Sequence, residues 1–264
     1  MIDIARHWQK VAAPLAIGLL FLAGWEAIVR IEDIPQYILP GPLVIAATLW
    51  TDGPSLLGSL LFTLRITGAA LAAATLIGGA IAILFARSRL LEISLFPYAI
   101  ILQVTPIVAI APLIIIWVQN TFLALLLCAW IVAFFPIVSN TTLGLNSADR
   151  NLVELFRLYG ASSWQSLWHL RLPAALPYFL GGLRISGGLA LIGAVVAEFV
   201  AGTGGAETGL AFRILESGYR LQIPRLFAAL VLLSFSGIAI YWALSLASWL
   251  LLRHWHESAL PRED

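Results

Sequence analysis

Apolar residues run along this chain in six long blocks, at about residues 12–30, 62–86, 93–118, 122–145, 177–200 and 226–252. Each block reaches or approaches the roughly 20 apolar residues that an α-helix needs to cross a bilayer. The pattern predicts an all-α membrane protein with six transmembrane helices. Three segments between the blocks have a different character. Leu39-Pro40-Gly41-Pro42 leads into an apolar run that reaches Trp50, and Pro42 suits the first turn of a short helix lying on the membrane surface. Residues 146–177 form the longest stretch without a span and mix apolar positions with Asp149, Arg150, Glu154, Arg157, His169 and Arg171. Residues 201–225 are rich in glycine and in charges of both signs.

Composition agrees with the blocks. The chain has 264 residues, of which 61% are hydrophobic and 11% charged, with a mean hydropathy of +0.95. Soluble domains carry roughly 25% charged residues, because water must meet polar surface. A net charge of +1 leaves no basic field for a nucleic acid. The one cysteine, Cys128, lies in an apolar block and has no partner for an internal disulfide. Arg6, His7 and Lys10 precede the first block, as in a signal peptide, but Trp25, Glu26 and Arg30 follow it in place of a small-residue cleavage site. The first block therefore reads as a retained helix.

Lysine and arginine set the expected orientation. With the N-terminus cytoplasmic, Arg6, Lys10, Arg87, Arg89, Arg150, Arg157, Arg171, Arg253 and Arg262 fall inside, and Arg30, Arg213, Arg220 and Arg225 fall outside. Arg65 and Arg184 are read as lying within spans near their ends. The asymmetry favours both termini in the cytoplasm.

Small residues recur every fourth position in two blocks: Ala70, Ala74, Gly78 and Ala82, and Gly182, Ser186, Ala190 and Ala194. Such stripes let helix backbones approach closely where lipid supplies no hydrophobic drive. The next step of the second stripe is Glu198. It is either hydrated at headgroup level or turned toward protein or a watery path, since ionisable groups near the hydrocarbon rarely face lipid. The third block holds Pro97, Pro106 and Pro112 and the fourth holds Pro136. Prolines free backbone carbonyls that need partners in protein or in a wet cavity. With Gln103 and Thr105 between them, the third-block prolines fit a helix lining a path; a kinked packing helix is the competing reading.

Residues 149–173 predict an elbow. Leu152–Tyr159 has the pattern of a short amphipathic helix in which Glu154 and Arg157, three apart, are near enough to pair. Gly160 can take a positive φ and end it. Ser162 or Ser163 can then cap a second short helix through His169, with Pro173 and Pro177 stopping it and starting the next span.

The series Glu154, Gly160-Ala161-Ser162, Leu172-Pro173-Ala174-Ala175-Leu176-Pro177 and Gly182 resembles the "EAA loop" of binding-protein-dependent ABC importer permeases. The resemblance extends to Thr105-Pro106, Ala111-Pro112-Leu113, Phe135-Pro136-Ile137, Asn140-Thr141, Gly144-Leu145, Ala197-Glu198 and Gly209-Leu210, covering roughly residues 60–252 of a single permease domain. One departure is that Leu155 and Phe156 stand where the family has two alanines. The branch it resembles handles nitrate, sulfonates, taurine and pyrimidine-type thiamine precursors, and Trp255-His256-Glu257-Ser258 with the loop after Glu198 looks more like the thiamine-precursor permeases.

The resemblance implies a type I importer fold in which the elbow docks on an ATPase, with Glu154, Arg157, Gly160, Ala161 and Ser162 as coupling residues and Leu172, Pro173 and Pro177 as the turn into the next span. It implies two ATPase subunits, a second permease (a further copy in a homodimer, or a close relative), a periplasmic or lipid-anchored binding protein and surrounding lipid. Gln103, Thr105, Pro106, Asn140 and Glu198 become candidate pathway residues. No cofactor is expected on this chain: Gly202-Thr203-Gly204-Gly205 lacks the lysine of a phosphate-binding loop, so ATP and Mg belong to the partner. His254 and His256, two apart, do not share one helical face and make no metal site. An ion-coupled secondary transporter is the alternative, and it would need ionisable groups near the midplane and internal repeats.

Overall fold

A computed structural model describes the backbone of residues 2–202 and 208–253, with side chains from Ala12 onward. The side chains of Arg6, His7 and Lys10, the run Thr203-Gly204-Gly205, and His254, Trp255, His256, Glu257, Ser258 and Arg262 lie outside the described residues. The described elements are all helical: α1 (Ile2–Ile31), α2 (Pro42–Arg87), α3 (Arg89–Val104), α4 (Ile107–Trp117), α5 (Thr121–Asn146), α6 (Arg150–Leu158), α7 (Ser163–Ser166), a π-helical turn (Leu167–Arg171), α8 (Leu172–Ala201), α9 (Leu210–Tyr219) and α10 (Ile223–Leu252). Five helical stretches are long and apolar enough to cross a membrane, and α3 with α4 makes a sixth if the bent pair is one span.

The bundle is built on α5, which packs against α2 on one side and α8 on the other. Both small-residue stripes are buried, as their spacing predicts. A Cβ added to Gly182 would sit 2.7 Å from the Pro136 carbonyl oxygen, and one on Gly193 would sit 2.9 Å from the Ala129 Cα. These glycines let α8 lie directly on the α5 backbone. Ser186 Oγ then donates to the Ala133 carbonyl at 2.7 Å, and Asn140 Nδ2 donates to the Pro136 carbonyl at 2.9 Å. Helix α1 stands apart, with Leu15, Ile17, Leu19, Leu20 and Phe21 exposed; Trp25 meets Phe227 of α10 at 5.9 Å between ring centroids.

The structure corrects the expected element pattern in four places. The helix begun by Pro42 does not end at Trp50; α2 runs unbroken for 46 residues. That is about 69 Å, more than twice the ~30 Å hydrocarbon thickness, so one end stands clear of the membrane. The third block is two helices bent by 99°, with Thr105 and Pro106 at the break. Pro106 lacks the N–H that would continue the ladder, and its ring drives Thr105 into an extended conformation (φ −71°, ψ 123°).

The elbow's second helix is not stopped by Pro173. It passes through the π-helical turn, in which Leu172 N–H donates to the Leu167 carbonyl five residues back. An unbroken α-helix would ask for a bond from the missing N–H of Pro173 to His169; the wider turn sits where that ladder fails. Lastly, Arg184 is not near a span end. Because α8 begins at Leu172 rather than 177, Arg184 lies near its middle, its guanidinium 5.9 Å from the Tyr241 ring and its Nε buried without a partner.

Candidate coupling elbow and far-end anchor

Local capping chemistry shapes the elbow. Asp149 Oδ1 accepts the Asn151 N–H at 2.7 Å and starts α6. The helix ends on Gly160, whose φ of +70° is open to glycine at little cost. Gly160 N–H donates to the Arg157 carbonyl at 3.0 Å, and Ala161 N–H to the Phe156 carbonyl at 2.9 Å. This pair of bonds is a Schellman termination, which satisfies two carbonyls that a helix end otherwise leaves open. Ser162, of the two serines considered, then caps α7: it accepts the Gln165 N–H at 3.3 Å, while Gln165 Oε1 accepts the Ser162 N–H at 2.7 Å.

The elbow is fastened by Leu167. This side chain is 2% exposed and packs with Ala82 of α2, Leu145 of α5 and Ala175 of α8. One residue thus ties the elbow to all three central helices. By contrast α6 has no fully buried residue. Leu155 is 44% exposed, Leu158 85% and Tyr159 83%, with Glu154 and Arg157 exposed beside them. The ion pair expected between Glu154 and Arg157 does not form; none of the ion pairs among the described residues includes either. Phe156 is half-buried under the helix and lines a cleft, whereas Leu155 points away. The substitutions for the family's two alanines therefore fall on different faces, one turned to the cleft and one to the outside.

At the far end of the bundle Glu198 is buried and faces protein. Thr63 Oγ1 of α2 donates to Glu198 Oε1 at 2.8 Å, and the Ala211 N–H donates to Oε2 at 3.0 Å. Thr63 Oγ1 itself accepts the Leu210 N–H at 2.9 Å. Leu210 and Ala211 are the first residues of α9, whose opening N–H groups have no partner within the helix. Glu198 and Thr63 cap it from two other helices, with the carboxylate at the positive end of its dipole. A Cβ on Gly209 would overlap the Glu198 carboxylate, so glycine is required for this close approach. The outer face of α9 carries an ion-pair chain: Arg213 to Glu216 at 2.9 Å and Arg220 to Glu216 at 3.0 Å, with Arg213 Nε donating to Ser59 Oγ at 3.1 Å. The hydrogen bond from Arg213, and then the charge of Arg220, holds the Glu216 carboxyl below its usual range.

The chain matches the family model for the inner membrane component of binding-protein-dependent transport systems over residues 74–256. It is 35% identical to the riboflavin transport system permease protein RibX of Chloroflexus aurantiacus, over 96% of this chain and 92% of that protein. It is 31% identical to the formylaminopyrimidine transport permease protein ThiX of Halalkalibacterium halodurans, over 88% of this chain and 91% of that one. This chain belongs to that permease family. The fold agrees: a crystal structure of an amino acid ABC transporter with histidines superposes with a TM-score of 0.63 at 18% identity, covering 76% of this chain and 96% of that chain.

The permease is an integral inner-membrane transport component, not an enzyme, and its family works with an ATPase and a substrate-binding protein. Its candidate pathway residues do not form one site. Gln103, Thr105 and Pro106 sit at the break between α3 and α4, where Thr105 Oγ1 donates to the Ile101 carbonyl at 2.6 Å. Asn140 lies in the last two turns of α5 at the elbow end, and Glu198 in the last turn of α8 at the other. Sequence reasoning missed α9 and Thr63. The signal for α9 was present: Leu210, Ala211, Ile214 and Ser217 are buried at helical spacing, with Arg213, Glu216 and Arg220 interleaved. Nothing local marked Thr63, which lies 135 residues from Glu198.

Proposed function

We propose that this permease forms one half of the solute pathway of an ATP-driven importer, paired about a two-fold axis with a second copy. Each elbow docks in a cleft on one of two ATPase subunits, and a periplasmic or lipid-anchored binding protein delivers solute at the far end. Both termini are cytoplasmic, in keeping with the excess of Lys and Arg on the elbow side. The observation that carries the reading is the elbow itself. Helix α6 has no fully buried residue, exposes Leu155 and Leu158 beside Glu154, and is joined through capped turns to Leu167, which is seated among α2, α5 and α8. A push on α6 from closing ATPase subunits therefore reaches three packed helices at once. That is the geometry for rigid-body switching between two packed arrangements.

The solute is a small nitrogen heterocycle. The riboflavin and formylaminopyrimidine permeases, 35% and 31% identical, support this class over the aliphatic sulfonates named for a Bacillus subtilis relative at 30%. A pyrimidine-type thiamine precursor remains the specific candidate, with sulfonate, taurine and nitrate as the competing solutes.

The test is co-purification of the tagged chain with candidate ATPase subunits, comparing wild type with Glu154→Lys and Gly160→Pro. The expected result is an ATPase bound to wild type and lost, or uncoupled from transport, in both variants. A wild-type chain that binds no ATPase and moves solute down an ion gradient would replace the proposal with secondary transport.

A further inference from the structure

Two clefts of about 280 Å³ each lie between the elbow and the ends of the central helices. The first is lined by Arg87 from the end of α2, Arg157 from α6 and Arg171 from the π-helical turn, together with Ser163 and Ser166. No carboxylate lines it. Arg157 and Arg171 also border the second cleft, where Arg150 joins them and Glu154 is the one acid. None of the ion pairs among the described residues includes Arg87, Arg150, Arg157 or Arg171.

Three guanidiniums in one small cleft repel one another unless an anion sits among them. Guanidinium presents planar pairs of N–H donors that match the oxygens of phosphate, and serine hydroxyls add neutral donors. Arg87 is held in place, its guanidinium 4.2 Å from the centroid of the Trp164 ring. The cleft also lies where two long apolar helices end, the level at which a spanning bundle meets lipid headgroups. Arg87 is the last residue of the long apolar helix α2, and Arg171 immediately precedes α8. Trp164, on which Arg87 stacks, and Trp168 one turn further on are 51% and 62% exposed, the amphipathic residue type enriched at the headgroup level of membrane proteins. A phosphate carried by a lipid has its glycerol and acyl chains at this level; a free phosphate makes no use of the tryptophans.

We propose that the arginine cleft between the elbow and the end of α2 binds the phosphate group of an anionic membrane lipid, with Arg87, Arg157 and Arg171 as its ligands. The lipid ties α6 to the α2 end by charge, beside the apolar tie that Leu167 makes. Basic pockets at the cytoplasmic edge of helix bundles recognise anionic headgroups by this chemistry. The site needs only that the chain spans a membrane; it does not depend on ATPase coupling.

The test is native mass spectrometry of the full chain in non-ionic detergent, after exposure to an equimolar mixture of phosphatidylglycerol and phosphatidylcholine. Wild type is compared with an Arg87→Gln/Arg171→Gln variant and with a charge-matched Arg89→Gln/Arg253→Gln variant. Wild type and the charge-matched variant should retain phosphatidylglycerol selectively, and the cleft variant should lose that selectivity roughly tenfold. Equal retention by all three chains would overturn the proposal. Displacement of the lipid by excess inorganic phosphate would assign the cleft to the free anion and overturn the lipid source. Loss of the lipid when an ATPase subunit binds would assign the arginines to a protein interface instead. A thermal melt of each variant in the same detergent separates lost binding from lost folding, and Arg87→Lys/Arg171→Lys, which keeps the charges, should recover part of the selectivity.

Discussion

The two ends of the bundle each fasten a short helix to the same core, and only one of them adds a buried polar network to apolar packing. At the elbow end the fastening is apolar: Leu167 sits among Ala82, Leu145 and Ala175, while α6 has no fully buried residue. At the far end Leu210 and Ile214 also pack in an apolar cluster with Ile45, Leu56 and Leu60, but a buried polar network is added to it. Glu198 and Thr63 satisfy the opening N–H groups of α9, and α9 buries Leu210, Ala211, Ile214 and Ser217. An apolar pin holds position without fixing orientation closely, which suits an element that presents a face to a partner. Hydrogen bonds to a buried carboxylate are directional, and their loss leaves donors stranded away from water. That suits an element that must sit in one place or release as a unit. The difference places the exposed apolar surface where a partner is expected and the closed polar network where the chain seals itself.

The comparison is tested most severely at the pin. Leu167→Ala should cost about 2–5 kcal/mol as a cavity in a packed site. The expected outcome is a lower thermal midpoint in detergent and faster hydrogen exchange confined to residues 150–171. Unchanged exchange there would mean that the elbow is held by its caps or by its arginines rather than by Leu167.

The far-end anchor should respond next. Glu198→Ala strands the Ala211 N–H and removes one partner of Thr63, at about 1–3 kcal/mol for a buried donor left without its acceptor. Exchange should rise in residues 210–219 and stay unchanged in the elbow. Glu198→Gln keeps a carbonyl acceptor and should lose less. Equal disturbance of both ends by either substitution would show that the two fastenings are one cooperative unit.

The smallest effect belongs to the outer face of α9. The Glu216 carboxyl is held below its usual range by the hydrogen bond from Arg213 and then by the charge of Arg220. A carboxyl depressed in the folded state contributes stability that is fully present above its unfolded value. That contribution is lost as pH falls through the folded value. Thermal midpoints of wild type and Glu216→Gln should therefore differ at neutral pH and converge as the pH falls through and below the usual carboxylate range. A difference that is constant with pH would mean that the ion-pair chain adds nothing beyond side-chain packing.

The elbow was legible in the sequence because its turns are made by adjacent residues. Asp149, Gly160, Ser162 and Gln165 act on backbone groups at most five positions away, so their types and spacing predict the geometry. The stop expected at Pro173 failed because a proline breaks an α-helical ladder only where that ladder must continue unchanged, and the π-helical turn alters it. The ion pair expected of Glu154 and Arg157 failed for a different reason: spacing permits two exposed side chains to meet but gains too little to hold them together. At the far end, mixed charge and glycine hid α9, whose buried face is short and whose cap comes from other helices.

By itself the sequence determined the membrane class, the positions of the main spans, the buried stripes of small residues and the turn chemistry of the elbow. Each depends on composition or on neighbours within a turn or two of helix, where the chain alone sets the distances. Tertiary structure decided what required distant segments to meet. It brought Thr63 to Glu198 across 135 residues, turned Glu198 toward protein rather than water, bent α3 from α4 by 99°, and gathered Arg87, Arg157 and Arg171 around one cleft. Helical periodicity says which residues share a face of one helix. Which helix that face meets, and at what depth, follows only from close packing of the small-residue stripes on α2 and α8 against α5.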